Sequence, residues 1–507
     1  MKLYFEISNY NWQPQRYKYA VEQMMLMLFP GERPEYPEEE CPADNEARFA
    51  LCREKDWTTV TVRLIRRTGS AQGQFRFESC RLDEGPEQVY HTLQHALKMA
   101  FYRAGTALLG QEPPWGALTG VRPVKLPTRA MRRGASPEQA RAELEREYCV
   151  SPLRAQLAVD CAKASLTVDR NLEEGQVSLY IGVPFCPTRC AYCSFVSQDM
   201  EHAKKLMDPY FQLLLEEIEK VAQVTKDLGL SLVSVYIGGG TPTTLSARQL
   251  SALCGKIRQV FDFSRCGEFT VEAGRPDTIT QEKLLALREA DISRISINPQ
   301  SLSDQVLRNI GRRHTAQDVV EAFHLAQRLG FSNINADLIV GLPGDDLTSF
   351  QRTLDGVIQL GASNVTVHSL AIKRSARLNS PGGDLSAHSN AQEAAAMVDY
   401  SIQRLTQEGF EPYYLYRQTR MAGNLENTGW AKPGSICRYN IYTMDESNTV
   451  IACGAGGVSK VKDPYSGRLE RIFNFKLPLE YINRFPEILQ RKDGVTALYE
   501  QFRQRLR

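Results

Sequence analysis

The feature that most constrains this chain is the alternation of elements between Gln176 and about Ala371. Short β-rich runs at 177–183, 232–238, 268–274, 293–298, 333–340 and 364–371 are separated by stretches with helical periodicity. Strands that alternate with helices of this length predict repeated βα units, because a parallel neighbour is reached only through a crossover connection. The intervening helices are marked by their apolar stripes. Asp208 and Pro209 predict one helix start, an N-cap followed by a first-turn proline, and Phe211, Leu214, Leu215, Ile218, Val221 and Ala222 then share a face. Leu250, Leu253, Ile257, Val260 and Phe261 form a second stripe, which also carries Cys254. Six such units predict an α/β fold, a partial (β/α)6 barrel whose interior something must fill.

The strands indicate what fills it. A parallel sheet buried on both faces calls for near-continuous apolar strands, yet these alternate with period two. Val177, Leu179, Ile181 and Val183 oppose Ser178, Tyr180 and Gly182; Phe269, Val271 and Ala273 oppose Thr270, Glu272 and Gly274. Ile334, Ala336, Leu338 and Val340 oppose Asn335, Asp337 and Ile339, and Val365 and Val367 oppose Thr366 and His368. The apolar phase faces the outer helices, so the polar phase lines the barrel. Two inward carboxylates, Glu272 and Asp337, need partners there, since an unpaired buried charge is strongly unfavourable. Either a bound polar ligand or an internal network of side chains meets that need.

The loop after the first strand reads YIGVPFCPTRCAYCSF and places Cys186, Cys190 and Cys193 in C-x3-C-x2-C spacing. Twelve cysteines in 507 residues are too few for a disulfide scaffold. Three thiolates on one loop suit three irons of a [4Fe–4S] cluster, leaving the fourth iron open to a small molecule. Structural zinc commonly takes four ligands, and the nearest further candidates, Cys161 and His202, are poorly placed. Cys41, Cys52, Cys80, Cys149, Cys161, Cys254, Cys266, Cys437 and Cys453 show no ligand-like pairing and read as packed small residues.

The rest of the chain divides by texture into 1–115, an α+β extension containing the acidic loop PGERPEYPEEECPADNE; 116–175, a basic boundary and helical linker; 176–380, the barrel; and 381–507, a mixed C-terminal cover. Arg122, Lys125, Arg129, Arg132 and Arg133 give the boundary a basic face. The 61 Lys+Arg against 59 Asp+Glu leave a formal net charge of +2, which argues against a nucleic-acid surface. No apolar run reaches the ~18 residues of a membrane span and the N-terminus lacks a signal-peptide core, so a cytoplasmic location is expected.

The cysteine motif with an aromatic before its last cysteine, followed in order by Gly238-Gly239-Gly240-Thr241-Pro242, Glu272, RISINPQS (Arg294–Ser301), GRRH (Gly311–His314) and DLIVGLP (Asp337–Pro343), resembles the radical S-adenosylmethionine (SAM) superfamily. Within it, the chain is similar to the coproporphyrinogen dehydrogenase branch, which includes related haem chaperones. The N-terminal extension and the stretch PYYLYRQTRMAGNLENTGWAKPG resemble the HemZ-type subgroup. The resemblance implies a [4Fe–4S] cluster on Cys186, Cys190 and Cys193. It implies SAM contacts from Tyr180, Tyr192, Gly239, Gly240, Thr241, Glu272, Gln300, Arg312, Asp337 and Ala371.

The implied activity is that of a radical SAM oxidoreductase: oxygen-independent oxidative decarboxylation of coproporphyrinogen III to protoporphyrinogen IX by a 5′-deoxyadenosyl radical, fed by an electron donor such as flavodoxin or ferredoxin. A haem-binding chaperone of the same family, or another radical SAM reaction on a tetrapyrrole, is the alternative. Arg374, Arg417 and Arg420 are candidate clamps for substrate carboxylates, with the 122–133 face as second choice. His368 is either a proton donor or a hydrogen-bonded interior residue, and the loop Gly454–Ser459 is expected to approach the cofactor. No further catalytic side chain is assigned.

Overall fold

The structure, a computed structural model, describes residues 1–6, 8–37, 44–195, 197–371, 391–418 and 422–504. The chain forms two compact units, one of Met1–Val159 with Arg417–Leu425 and one of Asp160–Tyr416 with Glu426–Arg507. No helix among the described residues is long and apolar enough to cross a membrane.

In the first unit β1 (Lys2–Phe5), β2 (Glu46–Arg53), β3 (Trp57–Arg66) and β4 (Gly69–Glu78) form one sheet in that order, with β1 parallel to β2 and the others antiparallel. Alternation in β3 turns Val60, Val62 and Leu64 inward, where they join Phe49 and the helix residues Val21, Met24, Leu97 and Phe101 in one core. Arg417 belongs to this unit. Its guanidinium donates to the carbonyls of Leu118 (2.5 Å) and Asn424 (2.9 and 3.1 Å) and lies over the Trp115 ring. That side chain is committed to holding backbone and is not a substrate clamp.

The second unit carries β5 (Gln176–Val183), β6 (Phe185–Cys186), β7 (Gln198–Asp199), β8 (Ser231–Gly239), β9 (Glu268–Gly274), β10 (Arg294–Ile297), β11 (Ile334–Val340), β12 (Asn364–Ser369), β13 (Glu411–Arg417), β14 (Glu426–Ala431), β15 (Thr449–Cys453), β16 (Val458–Lys462) and β17 (Leu469–Phe473). Strands β5, β8, β9, β10, β11 and β12 lie side by side, all parallel. They are the six strands expected from alternation, with ends shifted by at most one or two residues. The fold is the α/β arrangement of a partial (β/α)6 barrel, and its sheet stays open. Beyond β5 it continues through β15, parallel, to β16 and β17; beyond β12 it continues through β14, antiparallel, to β13.

One helix starts earlier than its sequence signals suggest. It spans Met200–Asp227, with Asp199 accepting from the His202 amide (3.1 Å) as N-cap, and Pro209 lies inside it. The apolar stripe from Phe211 to Ala222 is buried as expected. The cysteines outside the motif are not uniformly packed. Cys161, Cys254, Cys437 and Cys453 are buried, but Cys52 and Cys80 are exposed; Cys41 lies outside the described residues.

Behind the C-terminal glycine loop sits a buried polar network. Glu217 pairs with Lys492 at 2.8 Å, both essentially inaccessible, and also accepts from the Gly454 amide (2.7 Å), Asn474 (2.7 Å) and Tyr481 (2.6 Å). Lys492 donates to the carbonyl of Ala452 (2.7 Å) and to Asn474 (2.9 Å). Every strong hydrogen-bonding group here has a partner, the condition under which a buried ion pair is tolerated. Lys492→Met should therefore leave Glu217 charged and unpaired and cost about 3–5 kcal/mol. Urea unfolding measures this, and Glu217→Gln combined with Lys492→Met should recover part of the loss.

Candidate functional site

The floor of the half-barrel is closed from within. Glu268, at the start of β9, accepts from the amides of Arg438 (2.8 Å) and Tyr439 (3.3 Å) and lies 3.2 Å from the Cys437 thiol, capping the helix Arg438–Asp445. Arg294 at the start of β10 donates to Asn364 (2.8 and 2.9 Å) and to the Ser435 carbonyl. The segment 435–439 thus plugs the barrel, and the Tyr439 ring stacks 4.4 Å from Tyr236, with Tyr180 parallel to both. Nothing in the sequence pattern marked this plug.

Above this floor the inward phase becomes a site. Tyr236 donates to Glu272 at 2.5 Å, and Asn335 donates to Asp337 at 2.8 Å, with His368 3.9 Å from the same Asp337 carboxylate. An internal network therefore meets both carboxylates in part, and neither is paired with an Arg or Lys among the described residues. Burial pushes the Glu272 carboxyl up to about 7, against the opposing hydrogen bond from Tyr236.

The cysteine loop is pinned at several points. Cys186 lies on β6, with Thr241 Oγ1 3.6 Å from its sulfur, and the Cys193 amide donates to the Cys190 carbonyl (3.1 Å). The Ala191 amide donates to Ile310 (3.0 Å), and Thr188 donates to Gly311 (3.2 Å). Arg275, forked onto Asp277 at 2.8 and 2.9 Å, reaches Thr188 (2.9 Å) and stands 3.8 Å from the Cys190 sulfur. Burial pushes the Cys186 thiol up and the Cys193 thiol up to about 11, so these sulfurs become thiolates only when a metal takes the place of the proton. No three His, Cys, Asp or Glu among the described residues converge on one ion position. A cubane makes a different demand, one iron for each thiolate.

The remaining expected residues lie at or just beyond the ends of the parallel strands or on neighbouring loops. Gly239 ends β8, and Gly240 and Thr241 follow it. A Cβ on Gly240 would lie 2.5 Å from the Phe185 carbonyl, so only glycine lets this strand pass so close to β6. Tyr192 packs on Leu307, Ile310, Ile339, Leu342 and Leu370 and accepts from Arg312 (3.1 Å), which also donates to the Asn298 carbonyl (2.8 Å). Gln300 pairs in an isolated bridge with Leu338 on β11, and Ala371 follows β12. Arg374 and Arg420 lie outside the described residues. Gly454 lies against β5: a Cβ there would be 2.3 Å from the Gly182 carbonyl, at a φ of 90°. The glycine loop is thereby fixed to the strand that delivers Cys186.

Several buried polar atoms in this region have no hydrogen-bond partner among the described residues: Ser296 Oγ, Asn298 Oδ1, Gln300 Oε1 and Arg312 Nε. They fit a polar ligand held beside three thiols. Residues 180–357 match the radical SAM superfamily. The chain is 35% identical over 454 residues, 89% of its length and 90% of the relative's, to the oxygen-independent coproporphyrinogen-III oxidase-like protein HemZ of Bacillus subtilis. It is 32% identical to the haem chaperone HemW of the same organism, over 55% of this chain and 70% of that one. The solved structure of coproporphyrinogen III oxidase, HemN, from Escherichia coli superposes with a TM-score of 0.51 at 24% identity, covering 64% of this chain and 72% of that one.

The chain belongs to the radical SAM superfamily, and within it to the group of oxygen-independent coproporphyrinogen-III oxidase-like proteins. Membership brings a [4Fe–4S] cluster and SAM as cofactors, and the three thiols and the unpartnered interior atoms suit both.

The raised Glu272 carboxyl links to stability with a definite sign. A carboxyl that is harder to ionise folded than unfolded favours folding below its ordinary value of 4.5, and that advantage is lost as pH rises through about 7. Without cofactors, Glu272→Gln should therefore raise the melting temperature at pH 8 and leave it nearly unchanged below pH 5. Differential scanning fluorimetry across that range checks the expectation.

Proposed function

We propose that this chain catalyses the oxygen-independent oxidative decarboxylation of coproporphyrinogen III to protoporphyrinogen IX. The observation that carries the reading is the similarity to an oxygen-independent coproporphyrinogen-III oxidase-like protein over 89% of the chain. When bound, the cluster on Cys186, Cys190 and Cys193, together with SAM, would supply the radical hydrogen-abstraction chemistry needed for oxidative decarboxylation of a propionate to a vinyl group.

The residues divide the remaining work. Cys186, Cys190 and Cys193 hold three irons, and Arg275 and Thr241 set hydrogen-bond donors beside the Cys190 and Cys186 sulfurs. Tyr180, Tyr192, Gly239, Gly240, Thr241, Glu272, Gln300, Arg312, Asp337 and Ala371 surround SAM, and the guanidinium of Arg312 is the natural partner for an anionic group. The plug at 435–439 keeps water from entering the barrel from below. His368, 3.9 Å from the Asp337 carboxylate, is placed to hold or pass a proton inside the barrel. In this reading 176–380 is the barrel, 381–507 its cover, and 1–115 and 116–175 an extension and a linker. The protein works in the cytoplasm with a flavodoxin- or ferredoxin-type electron donor.

Anaerobic incubation of the reconstituted protein with dithionite, SAM and coproporphyrinogen III tests this. CO2 release with a vinyl product is the expected outcome, and Cys190→Ala should abolish both that and the cluster absorbance near ~400 nm. Stoichiometric haem binding with no deoxyadenosine formed would instead make the protein a haem carrier. Haem consumption with a linear product would make it a different tetrapyrrole enzyme.

A further inference from the structure

A buried cation outside the residues assigned to SAM sits against the cysteine loop. β9 ends at Gly274, and the chain then enters a short 3₁₀ turn, Pro276–Thr278, with Arg275 at its start. The Arg275 amide donates to the Ala273 carbonyl (2.8 Å), and its carbonyl accepts from the Thr278 amide (2.9 Å) and hydroxyl (2.8 Å). The backbone is thereby fixed on both sides of the residue. The side chain is 4% exposed and forked, with Nε and Nη2 on the two oxygens of Asp277 at 2.9 and 2.8 Å. Nη1 is left aimed at the loop, where it meets Thr188 Oγ1 (2.9 Å), the Thr188 carbonyl (3.4 Å) and the Cys190 sulfur (3.8 Å).

Bracing a loop does not call for a buried charge. Thr188 already donates to the Gly311 carbonyl and the Ala191 amide to Ile310, so the loop has neutral anchors. A guanidinium withdrawn from water loses hydration that a neutral donor would not, and Asp277 offsets that loss. His314, its side chain fully buried, stands 3.9 Å from the Asp277 carboxylate. Water therefore screens Arg275 little, and its charge acts at short range on Cys190. A [4Fe–4S] cluster on three thiolates is anionic, and reduction adds a further negative charge. A fixed cation and N–H donor beside a ligand sulfur favours the reduced state, because cluster potentials follow net charge and hydrogen bonds to sulfur. Asp277, an anion on the other edge of the guanidinium, orients the fork and offsets part of its field.

We propose that Arg275 sets the reduction potential of the cluster by acting through the Cys190 sulfur, and that Asp277 moderates it. The step concerned is acceptance of one electron from a low-potential reductant such as dithionite; no bond to the protein forms or breaks. The proposal rests on the assignment of Cys186, Cys190 and Cys193 as the cluster's ligands. The test is an anaerobic redox titration of the full reconstituted chain without SAM, followed by the electron paramagnetic resonance signal of the reduced cluster. Arg275→Gln should leave about tenfold less cluster reduced at a given poise, a downward shift of about 59 mV for a one-electron couple. Asp277→Asn should shift the potential upward. Thr188→Val, which loses a loop anchor and keeps the charge, should titrate near wild type while the melting temperature of the unliganded protein falls.

A wild-type potential in Arg275→Gln overturns the proposal. So does an unchanged or lowered potential in Asp277→Asn, or a shift in Thr188→Val as large as that in Arg275→Gln, which makes Arg275 a brace for the loop. Where Arg275→Gln does not retain its cluster, Asp277→Asn decides alone: a raised potential supports the proposal and any other result overturns it. Cys190→Ala separates the levels of the argument. If it keeps an unaltered cluster, the ligand assignment fails and the proposal with it. If it loses the cluster while Arg275→Gln titrates as wild type, the proposal on Arg275 fails alone.

Discussion

Everything in the second unit follows from one constraint: a parallel sheet curved around a polar interior must satisfy that interior from inside. An ordinary closed barrel does so with layers of interlocking side chains. Here the sheet is open and its inward phase is polar from Ser178 to His368, so neither packing nor water suffices. The chain resolves this by level. At the floor, Glu268 and Arg294 take partners from the segment 435–439, so that backbone from far along the sequence becomes part of the barrel. Higher up, partners among the described residues thin out, and Ser296, Asn298 and Gln300 each keep a buried polar atom without one.

The same constraint explains why the C-terminal segment is built as it is. The glycine loop lying against the end of β5 has few side chains with which to hold itself in place. Its amide and carbonyl are gripped instead, by Glu217 on the Gly454 nitrogen and by Asn474 on the Gly454 oxygen (2.8 Å). Tyr210 ties both sides together, donating to Gly182 (2.7 Å) and accepting from Ala455 (2.9 Å). The network stabilises a close backbone approach rather than a hydrophobic contact. A defect in it is therefore transmitted to the strand that leads into Cys186.

Much of this was legible in the sequence because it depends on local period and spacing. Strands at period two, helix stripes and C-x3-C-x2-C are properties of neighbouring residues, and they located the six strands and the thiol loop. Pro209 misled for an equally local reason: it reads as a helix start, but the Asp199 cap and favourable residues before it carry the helix through. The plug at 435–439 was not legible, since Cys437 and Tyr439 acquire their roles only when the chain returns beneath β9 and β10. Arg417 could not be read either; its charge invites a substrate, while its partners are the carbonyls of Leu118 and Asn424.

A site of this kind carries an energetic cost while it is empty. Each buried polar atom without a partner disfavours folding by about 1–3 kcal/mol, and the left-handed Gln300 adds about 1–3 kcal/mol more. Such a cost is sustainable only where the surroundings over-determine the geometry, and β10 is flanked on both sides by parallel neighbours that fix its backbone. The Glu217 and Glu268 networks are saturated with partners, whereas the face between Glu272 and Arg312 is undersatisfied. That contrast within one unit separates polar groups that hold the fold together from those left without a partner among the described residues.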